Sequence, residues 1–302
     1  MDTVWLWGVD VIVWIQQFRT PALDAVMRVF TFLGEEQFYL LLLPFLLWCV
    51  DFKIGARVSQ IYLLSVVVNG VLKESLMQPR PFDFNPAIKL IDQTGYGLPS
   101  GHAQSALVVW GSLATWARQR WVWILAVVVI VLVSTSRIYL GVHFPTDVLA
   151  GWAVGIVLLG AYSVALPLAQ RTTQRFSLSV HLLGAVLGPG ILAWVYPLKD
   201  NISAMGTLAG IGVGLIAAQR AVAFTAAGPW WQRGIRFVVG ATILLALYTG
   251  LAAVFPRELS VLYPYFRFLR YGLLGLWATW GGPWLFLRLR LGQTRSSPVP
   301  RP

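Results

Sequence analysis

Long apolar stretches separated by short polar breaks run through most of the chain. With about 20 residues per crossing as the template, the pattern predicts membrane spans over 36–51, 57–77, 101–117, 121–139, 146–168, 178–197, 202–219, 235–254 and 266–287. The first is short, and Gly34-Glu35-Glu36 stands at its head. Ahead of it, residues 3–18 set Asp10, Gln16 and Gln17 among tryptophans. A spanning helix there would hold a carboxylate near mid-bilayer, so the segment reads as a helix lying in the interface. The expected fold is all-α, a polytopic membrane helical bundle of about nine transmembrane spans. It divides into outer-side interfacial helices over 1–35, core spans over 36–169, additional C-terminal spans over 170–287 and a disordered basic tail over 288–302.

Composition supports the lipid setting. Hydrophobic residues make up 57% of the 302 and charged residues 12%, about half the charge of a soluble domain. That excludes an ordinary cytosolic enzyme, a disordered chain and a nucleic-acid binder with a basic, water-facing surface. The net charge of +11 is then a matter of placement. One set of loops carries thirteen Lys and Arg against Asp51 alone, a balance of +12, and the other set balances to −1. Basic loops mark the cytoplasm, which puts the N-terminus outside and the C-terminus inside. Nucleic acid is not needed to explain the charge, and the expected partners are membrane lipids. Cys49, alone in the chain, lies in an apolar run and reads as a buried hydrophobe. The first 20 residues lack the basic start and small-residue site of a cleavable signal peptide. Gly151/Gly155 and Gly206/Gly210/Gly214 read as close helix packing.

Three polar clusters fall on span ends, all on the outer side. Lys73 and Arg80, seven apart and so on one helix face, close the second span, where Pro79 and Pro81 end its helix. Alone they could be snorkelling interfacial cations. Pro99-Ser100-Gly101-His102 opens the third span, with Ser100 as the expected N-cap and Gly101 leaving the backbone open to a ligand. Free N–H groups at such an end favour an anion. Ser136-Arg137 ends the fourth span, and His143 and Asp147, four apart, open the fifth. There a carboxylate can hold one imidazole nitrogen and leave the other free to attack, although a structural His–Asp cap would look the same. Taken together the clusters suit phosphoryl transfer: cations and a helix N-terminus cradle the phosphate, one histidine attacks and the other protonates the leaving oxygen. His181, near a cytoplasmic span end, reads as an interhelical hydrogen bonder, and outer-side Arg257, Arg267 and Arg270 as interfacial anchors.

The pattern K-x6-RP, then PSGH, then SR-x5-H-x3-D, in this order, resembles the type 2 phosphatidic acid phosphatase superfamily over roughly residues 36–168. The resemblance implies that Lys73, Arg80 and Arg137 bind the phosphoryl group with Ser100 and the Gly101 amide. It makes His143 the nucleophile that forms a phosphohistidine, Asp147 its orienting partner and His102 the general acid. It implies no cofactor and no metal. The nine-span, N-outside plan resembles that of glucose-6-phosphatase, without specific matches beyond residue 170.

The expected activity is hydrolysis of a lipid phosphate or diphosphate at the outer leaflet of a bacterial inner membrane. Alternatives are a sugar-phosphate phosphatase, a lipid phosphotransferase, or a transport or lipid-binding protein that retains the scaffold. The intact set of His102, His143 and Asp147 argues against the last, since binding alone needs no nucleophile. A vanadate-dependent peroxidase would use a similar cradle in a soluble protein.

Overall fold

The computed structural model describes residues 3–173 and 175–294. In chain order the helices are α1 (Thr3–Gln16), α2 (Pro21–Phe32), α3 (Glu36–Phe45), α4 (Phe52–Leu76), α5 (Pro81–Phe84), α6 (Gly101–Ala117), α7 (Arg120–Tyr139), α8 (Pro145–Thr173), α9 (Leu178–Val195), α10 (Lys199–Ala221), α11 (Trp230–Val254), α12 (Tyr263–Leu276) and α13 (Gly282–Arg288). A π-helical turn, Leu46–Val50, extends α3, and a second, Trp277–Gly281, joins α12 to α13. Phe224–Thr225 (β1) and Gln293–Thr294 (β2) pair antiparallel.

Among the described residues six segments are long and apolar enough to cross a membrane: Phe52–Phe84, which contains α4, and α7, α8, α9, α10 and α11. A seventh arises if α2 and Glu36–Val50, which meet at a 53° bend, count as one broken span. The two other expected spans are helical but differ in form. α6 has only 17 residues, and residues 266–287 are divided between α12 and α13 by the π-helical turn.

The chain forms two compact units, Met1–Leu40 with Leu64–Ala169, and Leu41–Leu63 with Gln170–Pro302. In the first unit, α2 starts where Thr20 accepts from the amide of Leu23, with Pro21 at the first helical position and Asp24 in the first turn. α2 packs on α7, and α6 packs on α7 around Ala106, Val129 and Val133. Trp110 joins that cluster, and Trp152 donates to Ser134 Oγ at 3.0 Å, so both are packing residues. The glycine pair of α8 works as read: a Cβ on Gly151 would lie 2.6 Å from the Ser100 carbonyl oxygen. Between α7 and α8 the chain turns through Gly141, whose φ of +73° is left-handed and whose missing Cβ would sit 2.0 Å from the Ile88 carbonyl.

In the second unit, α10 lies against α12 through its glycines: Cβ atoms on Gly206 and Gly210 would meet the carbonyl oxygens of Phe268 at 2.4 Å and Gly272 at 1.9 Å. Trp48 is fully buried and donates to the Ala278 carbonyl at 2.8 Å, inside the second π-helical turn. Buried Cys49 donates to the Arg233 carbonyl at 3.2 Å. Three sequence readings change here. Arg267 is not an interfacial anchor but is buried, donating to the Lys199 carbonyl and Ser203 Oγ, because a carbonyl and a hydroxyl satisfy it within the bundle. His181 turns to its own helix, with Nδ1 2.9 Å from the carbonyl of Ser177, the N-cap of α9. Residues 293–294, expected in the disordered tail, pair with 224–225, and Leu287 and Leu291 pack beside Phe224. Residues 295–302 of that tail lie outside the described residues.

Candidate active site

The site residues all come from the first unit, from the end of α4, the loop 77–100, the start of α6 and the turn between α7 and α8. α4 ends at Leu76, earlier than the sequence suggested, because Met77 takes a φ of +45° and prolines follow. Lys73 therefore sits in the last turn of α4, while Arg80 is off that helix, the residue that precedes α5. Asp83 accepts from the Arg80 amide at 2.7 Å and fixes that start.

The loop 77–100 holds both cations with its carbonyls. Lys73 Nζ donates to Tyr96 and Gly97 oxygens at 2.6 and 3.0 Å. The Arg80 guanidinium donates to Gly95 at 2.7 Å, Thr94 at 3.1 Å and Val142 at 2.7 Å. Arg137, in the last turn of α7 and fully buried, donates to Thr31 Oγ1 and Gln93 Oε1, both at 2.6 Å. Its Nε has no partner among the described residues.

Ser100 occupies the N-cap position of α6 but its hydroxyl does not cap the helix, against expectation. Its backbone N–H is instead committed to the Asp147 carbonyl at 2.9 Å, and its buried Oγ has no partner among the described residues. The turn is fixed from α4: Asn69 Nδ2 donates to the Pro99 carbonyl at 3.2 Å and to Gln104 Oε1 at 2.9 Å, and Gln104 in turn donates to Ser65. A Cβ on Gly101 would press on Asn69 Oδ1 at 3.0 Å.

His143 and Asp147 meet as their spacing predicts. His143 Nδ1 lies 3.2 Å from Asp147 Oδ2, which also accepts from the Phe144 amide at 2.9 Å. Asp147 Oδ1 accepts from Gln78 Nε2 at 2.7 Å. A carboxylate on Nδ1 places the proton there and leaves Nε2 as the acceptor, and that nitrogen accepts from Arg80 Nη1 at 3.3 Å. Burial, and then the charges of Arg80, Lys73, Arg137 and His102, hold the His143 ring well below the usual histidine pKa. The ring is thus held in its neutral form.

His102, in the first turn of α6, meets a partner that the sequence did not reveal. Its Nε2 lies 3.2 Å from Glu35 Oε1, in the bend between α2 and α3, though off the line a hydrogen bond requires. Arg137 Nη1 is 3.9 Å from the same oxygen. Glu35, Thr31, Gln78, Gln93 and Asn69 were all missed as site residues. The signal for Glu35 was present: two adjacent carboxylates at the head of an apolar stretch in a chain poor in charge. Among the described residues no three His, Cys, Asp or Glu side chains gather as a metal site would need.

Fold and site together define a polytopic helical membrane protein whose helix ends gather three cations, two histidines and two carboxylates. The family model "PAP2 superfamily" matches residues 55–171, and "PAP2 superfamily phosphatase, transmembrane extension" matches residues 202–295. Phosphatidylglycerophosphatase B of Bacillus subtilis is 35% identical over 46% of this chain and 73% of its own length. Sphingosine-1-phosphate phosphatase 1 of mouse is 31% identical over 62% of this chain and 47% of its own. Undecaprenyl-diphosphatase of Sulfolobus acidocaldarius is 42% identical over 34% of this chain and 50% of its own. A solved phosphatidylglycerolphosphate phosphatase from Bacillus subtilis is 28% identical over 59% of this chain and 90% of its own, with a TM-score of 0.49. The chain belongs to the PAP2 superfamily. It spans about half the length of the mouse and Sulfolobus relatives.

Proposed function

We propose that this protein is a phosphatase that hydrolyses a lipid phosphate or diphosphate through a phosphohistidine at His143. The observation that carries this reading is the setting of the His143 ring: Nδ1 against Asp147 and Nε2 facing the Arg80 guanidinium at 3.3 Å. A phosphoryl group bound by Arg80 is thereby brought beside Nε2, which attacks once the Arg80 N–H turns from the ring to the phosphate oxygens. Lys73, Arg80, Arg137 and the unpartnered Ser100 hydroxyl share the charge of its oxygens.

In the first half-reaction a His143 Nε2–P bond forms and the P–O bond to the lipid breaks. The leaving oxygen takes a proton from His102. In the second, His102 removes a proton from water, whose oxygen attacks phosphorus; the N–P bond breaks, releasing phosphate and restoring neutral His143. Both steps draw their charge stabilisation from the three cations and the Ser100 hydroxyl.

Three relatives are named for sphingosine-1-phosphate, undecaprenyl diphosphate and phosphatidylglycerophosphate, each a phosphate on a lipid, which supports a lipid substrate here. The loop charges support a site on the non-cytoplasmic face of a bacterial inner membrane, with the N-terminus outside and the C-terminus inside. α1 is then read as an interfacial helix, 36–169 as the phosphatase core and 170–287 as added spans. The test is phosphate release by the purified protein in detergent. The panel is phosphatidic acid, phosphatidylglycerophosphate, undecaprenyl diphosphate, sphingosine-1-phosphate and glucose-6-phosphate. Turnover of a lipid substrate is expected to be fastest; faster release from glucose-6-phosphate would replace the lipid reading with the sugar-phosphate one.

A further inference from the structure

The acid His102 stands apart from His143 in one respect: its carboxylate comes from outside the region matched by the PAP2 family model, which begins at residue 55. Glu35 lies in the bend between α2 and α3, and the bend is built to touch the ring. Its backbone closes through Gly34 N to Thr31 O at 2.9 Å and Glu35 N to Phe32 O at 3.0 Å. A Cβ on Gly34 would lie 2.5 Å from His102 Cδ2, so the missing side chain is what lets the bend lie on the imidazole. The same bend is tied to the phosphate cradle, because Arg137 donates to Thr31 Oγ1 at 2.6 Å and comes within 3.9 Å of Glu35 Oε1.

The charges facing His102 give this contact a purpose. Two cations lie around it, Arg137 from α7 and Lys73 from α4, both set against a positive charge on the ring. Glu35, with Oε1 3.2 Å from Nε2, is the carboxylate facing it among the described residues. An acid that must donate a proton beside a ring of cations needs such a counter-charge.

We infer that Glu35 is a positioning residue for the acid step: it orients the His102 ring and sustains its protonated form, so that lipid-phosphate cleavage depends on the α2–α3 bend. The inference rests on the phosphatase reading above. It makes a second histidine–carboxylate pair, on the leaving-group side, beside His143–Asp147 on the attacking side.

The experiment compares wild type, Glu35→Gln, Glu35→Asp, His102→Ala and the double variant Glu35→Gln/His102→Ala in detergent. Phosphatidic acid, whose alcohol must be protonated as it leaves, is set against p-nitrophenyl phosphate, whose phenolate need not be. Glu35→Gln is expected to lower kcat on phosphatidic acid by about 10- to 100-fold, within the range of general-acid effects, with KM changed by less than about 3-fold. Its rate on p-nitrophenyl phosphate should stay within about 3-fold of wild type. The alkaline limb of its pH profile should move to lower pH, since His102 then gives up its proton sooner. Glu35→Asp, which keeps the charge, should fall between wild type and Glu35→Gln, and serves alone if Glu35→Gln fails to fold. The double variant should be no worse than His102→Ala, because the two residues serve one step. Equal losses on both substrates with an unmoved pH profile, or losses that multiply in the double variant, would overturn the inference. Wild-type protein that released phosphate from neither substrate would sink the phosphatase reading itself, whereas a Glu35→Gln enzyme indistinguishable from an active wild type sinks only the role of Glu35.

Discussion

The backbone N–H of Ser100 donates to the carbonyl oxygen of Asp147 across 2.9 Å. One hydrogen bond thus ties the start of α6, which carries His102, to the start of α8, which carries the partner of His143. The two histidines are held by helix starts that cannot drift apart without breaking it. Gly151 reinforces the tie, since only a residue without a Cβ lets α8 approach the Ser100 carbonyl so closely.

The two histidines should separate cleanly by leaving group. On the phosphohistidine reading, His143→Ala removes the covalent route and should leave almost no turnover on any substrate. His102→Ala removes proton donation alone, a loss of about 10²–10⁴-fold on a lipid phosphate that should shrink on p-nitrophenyl phosphate. Rapid-quench trapping with ³²P-labelled substrate reads the difference. His102→Ala should accumulate an acid-labile phosphoenzyme from the good leaving group; a phosphoenzyme trapped in His143→Ala would refute the assignment.

Asp147 binds His143, the Phe144 amide and Gln78 at once. Asp147→Asn keeps the shape but loses the charge that sets the tautomer, so kcat should fall by about 100-fold, less than for His143→Ala. Gln78→Ala removes one hydrogen bond to the carboxylate, worth about 1 kcal/mol, and should cost about 5-fold. Steady-state kinetics on one lipid substrate ranks the three; Gln78→Ala falling as far as Asp147→Asn would show that Gln78 does more than support the carboxylate.

Gly141 is the position where backbone geometry leaves no choice. Its left-handed φ costs an L-residue about 1–2 kcal/mol, and a methyl group would also run into the Ile88 carbonyl at 2.0 Å. Gly141→Ala should therefore lower the thermal midpoint in detergent and loosen the loop that delivers Arg80. Gly160→Ala, at a helical position with nothing near the added carbon, is the control and should melt like wild type. Equal midpoints for both variants would show that the turn relaxes freely.

Acid should weaken the fold through His143. Its pKa is depressed in the native state, so below the ordinary value of about 6.5 the unfolded chain binds the proton that the folded chain refuses. The contribution to stability is complete above that value and is lost progressively as pH falls from it toward the native pKa. The thermal midpoint should drop between about pH 6.5 and 5, and His143→Gln, which does not titrate, should flatten that slope. A slope equal in both proteins would assign the acid sensitivity to another group. The activity of wild type should also persist on the acid side of 6.5 wherever the fold survives, because the nucleophile stays neutral there.

The helical membrane fold and the three motif clusters were legible because each depends on local pattern: apolar length, a proline or glycine at a span end, a histidine and a carboxylate one turn apart. What escaped depends on packing between distant segments. Arg80 was read as continuing the face of Lys73, but positive φ at Met77 ends the helix first and the guanidinium reaches the site from a loop. Glu35 was noted only as an interruption, since nothing local tells a carboxylate at a bend which histidine it will meet. Arg267 reads as an interfacial anchor by its place near a span end, yet it donates inward to Ser203 and the Lys199 carbonyl. Ser100 was assigned to its helix, whereas its hydroxyl is left unspent.

Lys73 and Arg80 are held by carbonyl oxygens of the chain, from Gly95, Thr94, Val142, Tyr96 and Gly97. Carbonyls fix these side chains without cancelling their charge, so in the proposed phosphate cradle the free anion that hydrolysis leaves behind meets the same two cations as an esterified phosphoryl group. Inorganic phosphate should accordingly compete with substrate, and turnover in a phosphate-rich compartment would be throttled by the accumulation of its own product.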